Sequence, residues 1–323
     1  MYRYIVTRLL LAIPTLAGAA VLVFVLMRLI PGDVCVIRLG SGGAHVDAAA
    51  LAGCRQQLGL DDPMILQFLR FLWNYITFDF GISMWSGNPV SHEIAIRLPV
   101  SLQIATMATV IAILIAIPLG TISALKENTW LDHFVRVMAI AGIATPSFWL
   151  GIMSLVLVLD ITYFTTGKAW LPPITYVSFW KDPLANLAMV LLPAITVGYR
   201  YSEVTMRLTR AAMLEVLRED YIRTARSKGL LEQIIINRHA LKNALLPVVT
   251  LIGIEFAFLI GGLVVTEQVF NLNGIGRLLV QAVQNQDNVL AQALVMLVVA
   301  IFVLANLVVD VLYAWLDPRI RFS

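Results

Sequence analysis

"EDYIRTARSKGLLEQIIINRHALKNALLPVV", residues 219–249, decides how this chain is read, because it is charged in a sequence that otherwise avoids charge. The 36 residues from Arg207 to Lys242 hold eight of the 23 Lys and Arg. Only 13% of the 323 residues are charged, 59% are hydrophobic, and the mean hydropathy is +0.84. In a soluble protein such a cluster points to nucleic acid. The flanks remove that reading, since the hydrophobic share lies well above the ~45–50% of soluble domains. Uncharged runs cover residues 9–27, 98–125, 137–159, 183–199 and 288–309, and a sixth, 243–266, is interrupted only by Glu255. A helix needs roughly 20 residues to cross the hydrocarbon core, with about 17 as the short limit. All six runs qualify, with 183–199 at the limit and continuing into the charged segment. The expected fold is an all-α integral membrane protein with six transmembrane helices.

Six spans put both termini on one side. If that side is the cytoplasm, the inner segments (1–8, 126–136, 200–242, 310–323) hold 15 basic residues in 76, against 8 in 114 for the outer segments. Lys and Arg accumulate on the cytoplasmic side, so both termini and the charged stretch are expected inside. The net charge of +3 follows from that asymmetry and calls for no acidic partner and no nucleic acid. The first span reads as a retained anchor. Its 19 uncharged residues exceed a signal-peptide core, and "LIPGDV" after it makes a poor cleavage site.

The outer loop from Arg28 to Arg97 is too long to be a connector. Within it "DDPMILQFLRFLWNYITFDFG" reads as a helix with Asp62 as N-cap and Pro63 in the first helical position. Ile65, Phe68, Leu69, Leu72, Trp73 and Ile76 form an apolar stripe. Such a helix either lies in the membrane interface or packs on the protein's own spans. Cys35 and Cys54, the only cysteines, fall in this loop. On an oxidising face they either pair or stay as two free thiols, and sequence leaves both open. Two cysteines and four scattered histidines offer no metal-ligand spacing.

In the opening stretch, "MLEVLREDYIRTARSKG" forms a helix with Leu217, Tyr221, Ile222 and Ala225 on one side and Arg218, Arg223, Arg226 and Lys228 around the rest. Gly229 is its natural C-terminal stop. A second short helix, "LEQIIINRHALKNALLP", feeds the fifth span. Physics allows two roles for this helix–Gly–helix unit. It can fill a groove on a soluble partner, or rest as a positive-inside loop on lipid headgroups.

The segment resembles the EAA loop of ABC-importer permeases in its peptide-permease variant, through "DYIRTARSKG" and "HALKNALLPVVT". Ala225 and Gly229 match the signature Ala and Gly, and Leu246-Pro247 its closing Leu-Pro. "RLLLAIPTLAG", "LGLDDP", "DFGIS", "GGLVVTEQVFNLNGIGRLL" and "NLVVDVLYAWLDPRIRF" extend the likeness over the whole chain. It is similar to the B-type permease of dipeptide/oligopeptide (peptide/nickel family) ABC importers. The resemblance implies a MetI-like permease fold in a bacterial inner membrane. It also implies a second homologous permease, two cytoplasmic ATPase subunits that carry the ATP and Mg, and an extracytoplasmic solute-binding protein. No cofactor is implied in this chain. Residues 1–96 would be the first span plus outer loop, 97–313 the permease core with the EAA loop at about 209–245, and 314–323 the cytoplasmic tail. Tyr221, Arg223, Thr224, Ala225, Lys228 and Gly229 would form the helix that docks on an ATPase.

The sequence has no phosphate loop, no His-Glu-x-x-His and no Gly-x-Ser-x-Gly, so the chain reads as a transport subunit and not as an enzyme. A stand-alone channel or secondary transporter would need no docking helix, and no inverted repeat is visible. Within the family, nickel, glutathione and opines are the alternative cargoes. Arg200 and Glu203 in the fourth span and Glu255 in the fifth depart from the family's apolar pattern. Charges at bilayer depth normally face the interior and pair. They either line the pathway or, for Arg200 and Glu203, form a structural pair at i, i+3. "NLNGIG" also lacks the usual aromatic-Pro before Gly-x-Gly, and Gln286-Asp287-Asn288 lacks the common Asp-Tyr-Pro.

Overall fold

The computed structural model describes residues 2–29, 35–36, 39, 47–57 and 59–316. Twelve helices are numbered here along the chain. They are α1 (Tyr2–Leu29), α2 (Ala48–Gln57), α3 (Met64–Ile76), α4 (Val90–Leu125), α5 (Trp130–Ala144) and α6 (Ser147–Thr166). After them come α7 (Pro183–Leu217), α8 (Asp220–Ser227), α9 (Glu232–Gly262, with a π-turn at Ile235–Ala240), α10 (Val264–Val269), α11 (Ile275–Gln284) and α12 (Asn288–Leu316). Among the described residues the sole β pairing is one isolated bridge, Ile82 to Pro89. Among the described residues six helices are long and apolar enough to cross a membrane: α1, α4, α6, α7, α9 and α12. The end of the bundle where α1 starts and α12 finishes is called the terminal end below, and the opposite one the far end.

The core is the parallel pair α4 and α7, whose contacts advance together from Gln103–Asn186 through Ala108–Gly198 to Ser123–Arg210. Small residues repeat along α4 at Ser101, Ala105, Ala108, Ala112, Ala116 and Gly120, all buried. That stripe lets two backbones approach, which is how helices associate where lipid supplies no hydrophobic drive. The approach is close enough that glycine is required on both sides. A Cβ on Gly198 would stand 2.7 Å from the Ala108 carbonyl oxygen, and one on Gly120 2.6 Å from that of Met206. Helix α9 and the residue that follows it close this core through Leu259, Ile260 and Leu263, and α12 packs beside α1 through Met296 against Ala20 and Val23.

One span differs from the sequence expectation. The uncharged run 137–159 is not one helix, because α5 ends at Ala144 and α6 begins at Ser147. Pro146 is the cause. Thr145 before it is extended (φ −94°, ψ 123°), as a residue preceding proline prefers, so the helix cannot run through. The fourth span continues into the charged segment, as expected, and stops at Leu217.

At the far end, α3 starts one residue later than expected. Pro63 takes the N-cap position, while the Asp62 carboxylate is occupied by Arg70 at 2.6 Å. The helix splits its apolar residues between two faces. Phe68 and Phe71 meet Phe24 of α1, whereas Ile65, Leu69, Trp73 and Ile76 are exposed. Cys35 and Cys54 are joined by a disulfide with Cα atoms 5.8 Å apart, within the usual range. Buried Asp287 accepts from Ser83 Oγ (2.5 Å) and the Trp85 amide (3.2 Å) and caps α12 through the Leu290 amide (3.0 Å). It fastens the loop before α4 to the last span.

Candidate functional site

At the terminal end, α7 leaves the bundle as a straight extension, breaks at Arg218–Glu219, and returns as α8. The expected single helix over residues 213–229 is therefore two. Gly229 has φ +74°, a conformation that only glycine adopts at little cost, so it ends the hairpin as its sequence position predicts. Nothing lies within 4 Å of where its Cβ would be, so the requirement is purely one of backbone. Leu231 then turns the chain into α9.

The hairpin has its own apolar centre. Ile222 and Ala225 of α8 are buried against Met213 of α7, Ile235 and Ala240 of the π-turn, Ala244 of α9 and Ala124 of α4. Ala225 is thus only 8% exposed and belongs to internal packing. Of the other residues predicted for docking, Tyr221 is 41% exposed and its hydroxyl accepts from Asn243 Nδ2 at 2.9 Å. Arg223 and Thr224 are exposed and bond back to Asp220. Lys228 is exposed as the C-cap residue of α8. Arg226 holds Glu232 at 2.6 Å across the turn, and that hydrogen bond raises its already high pKa. The hairpin therefore presents Tyr221, Arg223 and Lys228 outward on a base rigidly packed to α4, α7 and α9.

A clamp that sequence reasoning missed anchors that base. Arg210 of α7 makes a two-pronged bond to Asp132 of α5, Nε to Oδ1 and a terminal nitrogen to Oδ2, both at 2.8 Å. Ser123 of α4 donates to the same carboxylate at 2.5 Å and the Asn128 amide at 3.1 Å. Asp132 is fully buried, and the Arg210 hydrogen bonds hold its pKa well below the usual carboxylate range. The partners lie 78 residues apart, so no local pattern joins them. The sequence signal was one of two acids, Glu127 and Asp132, in the short charged turn between two apolar runs.

A second buried carboxylate sits at the far end. Glu267 of α10 accepts from Ser101 Oγ at 2.7 Å and from the Arg277 amide at 2.7 Å, and burial raises its pKa. It fastens the α10–α11 segment to α4. Near mid-span, Glu255 accepts from Thr205 Oγ1 at 2.8 Å. Arg200 and Glu203 do not form the i, i+3 ion pair held open as one reading. Arg200 lies instead near the Tyr201 ring, 5.9 Å from its centroid, and one Glu203 oxygen is buried without a hydrogen-bond partner. Among the described residues, no group of three or more His, Cys, Asp or Glu could hold a metal ion.

The fold and the hairpin define a multi-pass helical membrane protein whose spans are joined rigidly to an element outside the bundle. Comparison with known proteins specifies the family. A model described as "Binding-protein-dependent transport system inner membrane component" matches residues 116–322, and the corresponding N-terminal model matches residues 1–105. Over the full length of both chains, this one is 40% identical to a Brucella abortus (strain 2308) protein whose name assigns it to a peptide transport system as a permease. It is 41% identical to the glutathione transport system permease protein GsiC of Salmonella paratyphi A, and 40% to that of Escherichia coli (strain K12), again over all 323 residues. Among solved structures, an inward-facing MetNI methionine ABC transporter matches with a TM-score of 0.50 at 16% identity, covering 69% of this chain and 96% of that one. The chain belongs to the inner-membrane components of binding-protein-dependent transport systems. It is a permease subunit of an ABC importer, with the MetI-like fold.

Proposed function

We propose that this permease forms, with a second homologous permease, the translocation pathway for dipeptides and oligopeptides across a bacterial inner membrane. The terminal end of the bundle is cytoplasmic, as the excess of Lys and Arg there supports. Two ATPase subunits bind ATP and Mg and dock on the Tyr221, Arg223 and Lys228 face of the hairpin. A solute-binding protein delivers cargo at the far end. The observation that carries this reading is the hairpin's packing. Because Ile222 and Ala225 key α8 into α7 and α9, a displacement of α8 moves those two spans and is not absorbed by a loose loop.

The test is uptake by the reconstituted complex of permeases, ATPases and binding protein in proteoliposomes. ATP-dependent accumulation of dialanine, absent without ATP or without binding protein, is the expected result. No accumulation of any short peptide by a complex that hydrolyses ATP would overturn the cargo assignment. A second reading, glutathione, is favoured by the names of the GsiC relatives, and adding glutathione to the same panel decides between them.

A further inference from the structure

Arg200, Glu203 and Glu255 stand near the middle of the membrane with no ion pair to any of the described residues. Their depth follows from packing. Gly198 lies against Ala108 and Ile111, at the centre of the uncharged run 98–125. Arg200 is two residues further along, about 3 Å by helical rise. Glu255 is the thirteenth residue of the run 243–266, and its bond to Thr205 sets it beside the same stretch of α7. Glu203 is only 3% exposed, lies against Gly142 of α5, and leaves one carboxylate oxygen unpartnered. Among the described residues no carboxylate lies within 4 Å of the Arg200 guanidinium, which is only half-buried.

A second observation shows where these groups open. Arg200, Val204, Arg207, Ala211 and Glu215 recur at i, i+4, i+7, i+11 and i+15, which places them on one face of α7. Arg200 and the face below it are half-buried or exposed throughout. That face ends at the terminal end of the bundle in an open groove of about 530 Å³ lined by Ala211, Glu215, Arg218 and Asp220. A stripe of two arginines and an acid reaching from mid-bilayer to the surface is costly against lipid, and such groups normally face a water-filled route or a partner.

We propose that this face of α7 lines the aqueous pathway and that Arg200 and Glu255 form a transit site for a zwitterionic peptide. The guanidinium of Arg200 takes the cargo carboxylate, for which its planar pair of donors is suited. Glu255 takes the cargo ammonium group with the oxygen that Thr205 leaves free, while Glu203, buried against Gly142, stays out of reach of cargo. The inference rests on the peptide-permease reading above and adds to it a residue-level selectivity for two-ended charge.

The experiment uses the complete reconstituted transporter with dialanine as probe, comparing wild type with Arg200→Gln and Arg200→Lys. Losing a charge-assisted hydrogen bond to the carboxylate should lower dialanine uptake by Arg200→Gln by about 10-fold or more. Arg200→Lys should recover part of it, and ATPase stimulation by loaded binding protein should persist in both. In parallel, Arg200→Cys should be labelled by a charged, water-soluble thiol reagent in at least one nucleotide state, and dialanine should slow the labelling. Dialanine uptake by Arg200→Gln equal to wild type would overturn the site. So would an Arg200→Cys complex that assembles but resists labelling in every nucleotide state, the outcome expected if Arg200 pairs with the second permease. Failure of the wild type itself to import dialanine would count against the peptide reading instead, so the two failures are distinguishable.

Discussion

At the residue scale, two positions in the hairpin have become separable. Gly229 must hold φ +74°, and an L-residue there costs about 1–2 kcal/mol in backbone energy, more when β-branched. Gly229→Val should therefore shift the α8–α9 turn and lower ATP-driven uptake while the permease still inserts, measured as uptake per reconstituted complex. Full uptake by that variant would show that the turn geometry is not needed. Ala225 matches the family signature, but its burial against Met213 and Ile235 means that Ala225→Glu places a charge in the hairpin's own apolar centre. It should loosen the hairpin itself, and a docking test belongs on exposed Lys228 instead. Asp132 gives the third residue-scale expectation. Breaking a buried ion pair from one side costs about 3–5 kcal/mol, so Asp132→Asn should lower the melting temperature of the purified permease. The sign with pH is fixed by the lowered pKa of Asp132. Its contribution is complete above the ordinary aspartate value of about 4 and is lost as pH falls below it. The gap between wild type and Asp132→Asn should be full at pH 7 and narrow in acid, and a gap independent of pH would contradict the assigned ion pair.

At the scale of elements, what could be read in advance follows the range of the forces involved. The six spans and the Gly229 stop were legible because hydropathy and backbone conformation are properties of contiguous residues. The break at Pro146 was also local, but a hydropathy run registers apolar character and is blind to a proline's missing N–H, so 137–159 passed as one helix. The fourth span was expected to outrun its uncharged stretch, and the structure shows what carries it. Arg200, Glu203, Arg207 and Arg210 ended the uncharged run, yet helix propensity continues through them and α4 supplies a small-residue groove along which α7 packs. Long-range partners were not legible at all, the Asp132–Arg210 clamp and the Glu267–Ser101 fastening among them. The α3 stripe was seen, but its division into a face on α1 and an exposed face needs three-dimensional neighbours to define. The Cys35–Cys54 bond joins α2 to the segment after α1, closing a loop for which the chain-entropy model gives about 3 kcal/mol. Mass spectrometry of the unreduced permease should show one linked peptide pair, and Cys54→Ser should loosen the far-end loop more than it impairs insertion. Two freely alkylated thiols without reductant would contradict the bond.

For the whole molecule, charge defines the ends and packing defines the transmission. The α4–α7 pair, held to van der Waals distance by Gly120 and Gly198, runs the full depth of the bundle. Glu267 attaches the far-end segment α10–α11 to α4, and Arg210 with Asp132 attaches α7 to α5 at the terminal end. Movement of the hairpin is thereby connected to the far end through side chains that are buried and bonded. The central claim is that ATPase closure enters this frame through the outward face of α8. The measurement that tests it most directly is site-directed cross-linking in the intact transporter with cysteine placed at Lys228. The account predicts that this cysteine cross-links to an ATPase subunit and that a rigid cross-link arrests peptide uptake. A transporter that imports peptide with ATP, yet gives no cross-link from Tyr221, Arg223 or Lys228 to either ATPase in any nucleotide state, would contradict it.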